Sequence, residues 1–75
     1  MKFKRILKRK FYPTWVSTTK VKKYKVYILY IPCIKCYHYR IFHNNGNTFN
    51  SLDDDIKFNN FEACCMAAEN YIYKK

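Results

Sequence analysis

Glycine is almost missing from this chain: Gly46 is its one glycine, and Pro13 and Pro32 are its two prolines. Loops that cradle phosphates need several glycines for close backbone approach, so that class of site is excluded. With so few turn formers, most of the chain is left for regular structure. Acid is missing from the opening third, where residues 1–25 contain no Asp or Glu. Long apolar runs are missing too. The longest, residues 26–34, has nine residues, against the ~18–20 that a membrane-spanning helix needs. The start Met1-Lys2-Phe3-Lys4-Arg5 looks like the charged opening of a secretory signal. Lys8, Arg9 and Lys10 interrupt the apolar segment that should follow.

These absences set the expected compartment. Without a signal, Cys33, Cys36, Cys64 and Cys65 are expected as reduced thiols in a cytoplasmic protein. Lys, Asn, Ile, Tyr and Phe are common while Ala is scarce, a skew that AT-rich coding produces. Many phages and low-GC bacteria have such genomes, and a phage product would sit in the host cytoplasm or the virion.

What is present is just as uneven. Lys2, Lys4, Arg5, Lys8, Arg9, Lys10, Lys20, Lys22, Lys23 and Lys25 are ten cations without one counter-charge, equal to the net +10 of the whole chain. Residues 26–75 balance five basic against five acidic side chains. Like charges so crowded repel unless an anionic partner opposes them. Aromatic residues make up 20% of the chain: eight Tyr, six Phe and one Trp. Each ring can bury ~150–250 Å², which suits a body of only about 50 residues whose stability would otherwise be marginal.

The expected organisation is a basic arm and connector over residues 1–20, then a small α+β domain over 21–75. Phe3, Ile6, Leu7 and Phe11 fall on one helical stripe, so residues 1–12 read as a short basic amphipathic helix ended by Pro13. Residues 14–20 read as a connector pinned by Trp15. Residues 21–31 and 36–43, rich in β-branched and aromatic side chains, read as strands. Asn44-Asn45-Gly46-Asn47 is a hairpin signal, and residues 48–52 are the returning strand. Residues 53–55 read as a loop, and 56–58 as a continuation of the edge. Asn59 with Glu62 three residues later predicts a capped helix over 60–73. The fold class is therefore a three-stranded antiparallel meander packed against one C-terminal helix, preceded by a basic arm.

The expected function is binding without catalysis. Lys4, Arg5, Lys8, Arg9, Lys10, Lys20, Lys22 and Lys23 are the candidates for contacts to nucleic-acid phosphates or a nucleoprotein assembly, with Trp15 anchoring or stacking. The runner-up is a small viral inhibitor or virion component that docks on an acidic host or capsid protein through Tyr27, Tyr30, Tyr37 and Tyr39; homo-oligomers also fit. A third reading is a zinc-stabilised mini-domain, since Cys33-x-x-Cys36 has half-site spacing and His38 or His43 could complete it. No second C-x-x-C stands at a partner position and no Gly follows to relieve a tight knuckle, so the cysteines read better as small buried side chains. Asp53, Asp54 and Asp55 in succession read as a solvated turn rather than a metal-catalytic set. His38 and His43, five apart in a strand, face opposite sides, and no Ser or Cys stands in an activating context.

Overall fold

The computed structural model describes residues 2–6, 12–18 and 20–74. They form five strands, β1 (Phe3–Ile6), β2 (Thr14–Ser17), β3 (Tyr24–Ile31), β4 (Cys36–His43) and β5 (Thr48–Asn50). A short 3-10 helix, Ser51–Asp54, and the helix α1, Phe61–Tyr73, follow. The sheet order is β1-β2-β3-β4-β5 with every neighbouring pair antiparallel. The fold is α+β, and this corrects the expected three-stranded meander: the sheet has five strands.

The two added strands come from the segments read as a helical arm and a connector. Phe3, Lys4, Arg5 and Ile6 pair with Ser17, Val16, Trp15 and Thr14. Apolar Phe3 and Ile6, three residues apart, share one face of a helical turn but opposite faces of a strand, so the local pattern points to helix. Tertiary pairing overrides it. The central strand β3 needs partners along its second edge, and β2 supplies them, with Thr14, Trp15 and Val16 opposite Leu29, Ile28 and Tyr27. Residues 7–11 of the expected helix lie outside the described residues.

The long strands β3 and β4 pair over eight positions, from Tyr24↔His43 to Ile31↔Cys36. Their outer neighbours are shorter, and two serines extend the ladders. Buried Ser17 Oγ accepts from Val26 N at 3.0 Å, and buried Ser51 Oγ accepts from Tyr39 N at 3.0 Å. Each hydroxyl stands at the pair position just past the end of the paired register. Beyond Ser51, Phe58 takes over the edge of β4 and exchanges both backbone bonds with Tyr37, at 2.7 and 3.0 Å. No buried side-chain nitrogen or oxygen is left without a partner among the described residues.

The expected strand start at residue 21 is also corrected. Lys22 and Lys23 both have positive φ, 53° and 69°, and close a two-residue turn in which Val21 and Tyr24 exchange both backbone bonds. That is the hairpin geometry usually given to Asn-Gly. The Asn-Gly turn expected at residues 44–47 is present, with Gly46 at φ 91°.

α1 lies against one face of β3 and β4. Val26, Ile28, Tyr39 and Ile41 from the sheet meet Cys64, Ala68 and Ile72 in one buried cluster. The aromatic rim is dense: Phe61 stands 4.9 Å from Trp15, 5.8 Å from Tyr37 and 6.0 Å from Phe3. Such pairs add about 0.5–1.5 kcal/mol each beyond their area. The helix starts one residue later than expected, because its N-cap is Asn60, whose side chain accepts from Ala63 N at 3.1 Å. Asn59 instead accepts a weak bond from the Cys36 thiol at 3.6 Å.

Candidate nucleic-acid interface

Strand alternation sorts the side chains into two faces. The face under α1 takes Tyr24, Val26, Ile28 and Tyr30 from β3, with Tyr37, Tyr39, Ile41 and His43 opposite them. The face turned away from α1 is ordered in rows by the pairing register. One row crosses all five strands: Lys4, Val16, Tyr27, Arg40, Asn50. A second holds Lys25, Phe42 and Thr48, and a third Thr14, Leu29 and His38. Lys4 and Arg40 are exposed, and Lys25, Tyr27, Leu29 and Phe42 are half-buried. Tyr27 and Phe42 meet edge to face, with centroids 5.3 Å apart and an interplanar angle of 80°.

Further cations gather at the end of the sheet that carries the 22–23 and 44–47 turns. Lys20 Nζ donates to Asn44 Oδ1 at 2.8 Å, Asn44 N donates to Lys23 O at 3.2 Å, and Lys2 O accepts from Thr18 N. Lys22 Nζ stands 5.2 Å from the centroid of Tyr73, the last residue of α1. The five acids lie elsewhere. Asp53 and Asp54 are in the 3-10 helix, Asp55 is its left-handed cap, and Glu62 and Glu69 are on α1. The face away from α1 therefore carries Lys4, Lys25 and Arg40 and no carboxylate.

The residues expected at the site are thus distributed. Lys4 lies on this face, and Lys20, Lys22 and Lys23 lie at the turn end next to it. Lys8, Arg9 and Lys10 fall outside the described residues. Arg5 and Trp15 lie on the α1 face, with the guanidinium carbon 5.6 Å from the indole centroid, and Trp15 joins β2 to Phe61. Of the tyrosines expected at a protein interface, Tyr27 is on the face away from α1. Tyr30, Tyr37 and Tyr39 are on the α1 face, where the Tyr30 and Tyr37 rings meet at 4.9 Å with a 52° tilt and Tyr39 is buried. Lys25, Arg40 and Phe42 were not singled out from the sequence. The signal for them was the alternation Lys25-Tyr27-Leu29 against His38-Arg40-Phe42, read together with a helix that covers one face.

Cys33, Cys36, His38 and His43 do not converge. The Cys36 thiol donates to Ile34 O at 3.2 Å. The buried His38 ring pairs through Nδ1 with Asn50 Oδ1 at 3.2 Å on the face away from α1. His43 packs against Tyr24 on the other face, with ring centroids 4.5 Å apart and a 56° tilt. Among the described residues, no group of three or more His, Cys, Asp or Glu side chains is placed to hold a metal ion. Burial pushes the His38 imidazole below its ordinary 6.5, with Arg40 adding to the shift and the Asn50 bond opposing it. Burial likewise pushes the Cys64 thiol up to about 12 and Cys65 up to about 11. All four cysteines are free thiols.

A groove of about 520 Å³ runs between α1 and the β1–β2 edge, lined by Phe3, Trp15, Phe61, Glu62, Cys65, Met66 and Glu69. No helix among the described residues is long and apolar enough to cross a membrane. Set beside known proteins, the chain matches no family model, no curated protein and no solved structure.

Proposed function

We propose that the protein is a non-enzymatic nucleic-acid-binding module whose contact surface is the sheet face turned away from α1, together with the adjoining turn end. Lys4, Lys25 and Arg40 on the face, and Lys20, Lys22 and Lys23 at the turns, are the phosphate-contacting cations. The observation that carries this reading is the separation of charge. The face away from α1 has cations and no acid, while all five carboxylates sit on α1, the 3-10 helix and its cap. Cations that displace condensed counterions bind strongly at low salt and weakly at high salt. With about five phosphates neutralised, raising salt from 50 to 200 mM weakens binding by roughly 10²–10³-fold.

Fluorescence anisotropy of a labelled oligonucleotide across that salt range tests the reading. Replacing Lys4, Lys25 and Arg40 together by Gln is expected to lower the salt slope by about 2–3, since each lost phosphate contact removes about one. A salt-insensitive affinity, or a slope unchanged in the triple variant, counts against it. So does a pull-down in which nuclease treatment leaves every captured partner in place, the outcome a docking surface for an acidic protein would give.

A further inference from the structure

We infer that the nucleic acid this face accepts is single-stranded, held by stacking of an unpaired base on the Tyr27 ring beside Phe42. The inference rests on the nucleic-acid reading above and specifies its substrate.

Three observations converge. The first is the width of the sheet. Five strands spaced ~4.8 Å apart span about 19 Å from β1 to β5. The major groove of a duplex is ~12 Å wide and admits a helix or a two-stranded ribbon. A face this broad cannot reach base edges inside a groove, so rings at its middle meet a base only if that base is unpaired. The second is where the rings sit. Tyr27 is the central member of the row that runs from Lys4 to Asn50, and Phe42 is its diagonal neighbour. A hollow of about 140 Å³ opens beside them, lined by Thr14, Tyr27, Leu29, Arg40 and Phe42. It has room for a single flat heteroaromatic ring, with walls that mix the aromatic Tyr27 and Phe42 and apolar Leu29 with the polar Thr14 and Arg40. The Thr14 hydroxyl already donates to Tyr12 O at 2.9 Å, so the side-chain donors left in the wall to read base edges are Arg40 and the Tyr27 hydroxyl. Stacking with little base discrimination follows.

The third observation is the placement of charge around the rings. Lys4 lies two strands from Tyr27, Arg40 is directly opposite it, and Lys25 is directly opposite Phe42. A backbone crossing the sheet keeps its phosphates against these cations while one base turns down into the hollow. Arg40 can pair with a phosphate or lie flat on the same base, as guanidinium planes do.

The test measures the wild-type chain with oligo(dT), oligo(U) of the same length, and the matching duplex at one salt concentration. Tighter binding of either single strand than of the duplex is expected. Tyr27→Leu, which keeps apolar bulk but removes the ring, is expected to weaken single-strand binding by about 5–150-fold. Its salt slope should stay unchanged, and Tyr27→Phe should retain the affinity. Photocrosslinking of a 5-bromouridine strand to the wild-type chain should mark Tyr27 or Phe42, a readout that does not depend on how a variant folds. Equal or tighter duplex binding, crosslinks confined to α1, or a well-folded Tyr27→Leu of unchanged affinity overturns the inference while nucleic-acid binding itself stands. Absence of salt-dependent binding to either single strand and to the duplex overturns both readings.

Discussion

Two kinds of residue carry more of this fold than their size suggests: buried serines and left-handed lysines. Ser51 has no exposed surface, and its hydroxyl is the acceptor for Tyr39 N. Ser51→Ala leaves that amide buried and unpaired, a loss of about 1–3 kcal/mol; urea unfolding of the variant should show it as a lower midpoint with an unchanged slope. Lys23 behaves in the opposite sense. At φ 69° it holds a conformation that costs a residue with a Cβ about 1–2 kcal/mol. Lys23→Gly is therefore expected to raise the unfolding midpoint, and a lower midpoint would contradict the turn geometry. Lys22 is the poorer choice for this test, since its ammonium stands over Tyr73. Neither effect was legible in the sequence. Ser51 reads as part of the returning strand over 48–52, and Lys22-Lys23 reads as part of the strand over 21–31. Both identities become informative only when the pairing register shows which backbone groups lack a partner.

At the scale of elements, α1 and the β1–β2 hairpin are the informative cases. The capping-box pattern placed the helix correctly in kind but one residue early, since Asn59 and Asn60 are both good caps. Hydrogen bonding identifies the working one, as Asn60 accepts from Ala63 N. Asn60→Ala is expected to cost about 0.5–2 kcal/mol and Asn59→Ala distinctly less; comparison of their thermal midpoints checks the assignment. Strands β3 and β4 were legible because both are rich in β-branched and aromatic side chains, with clear alternation along β4 and a run apolar on both faces in the second half of β3. Strands β1 and β2, four residues each, were not. Phe3 and Ile6 stand at helical spacing, and four residues are too few to establish a period of two. Their place is set by the unpaired edge of β3 and by Trp15, whose ring packs 4.9 Å from Phe61 of the helix.

For the whole molecule, two buried titrations bracket the stability. His38 has its folded pKa below the ordinary 6.5, so the unfolded chain binds the proton more readily. Its contribution is complete above about pH 6.5 and is lost as pH falls through the lower folded value. Cys64 and Cys65 are raised from 9.0 to about 12 and about 11, so the folded chain keeps its thiol protons longer. Their contribution is complete below pH 9 and is lost as pH rises toward 12. Unfolding free energy should therefore be greatest between about pH 6.5 and 9 and fall on both sides. His38→Gln should flatten the acid limb, and Cys64→Ala should shorten the alkaline one. Loss on the acid side that persists in His38→Gln would assign it to other groups.

Sequence alone determined the charge of the opening third, the two long central strands, the Asn-Gly turn and the closing helix. Each is a local property, set by composition or by a pattern repeated over enough residues to choose one period. Tertiary structure decided the rest: five strands rather than three, a Lys-Lys hairpin turn, and which aromatic side chains lie under the helix. It also set Lys25, Arg40, Tyr27 and Phe42 on one face, because a face exists only once neighbouring strands are in register. The physical reason is that a short edge strand is stabilised by the partner it pairs with and the ring it packs on, and neither lies next to it in the chain.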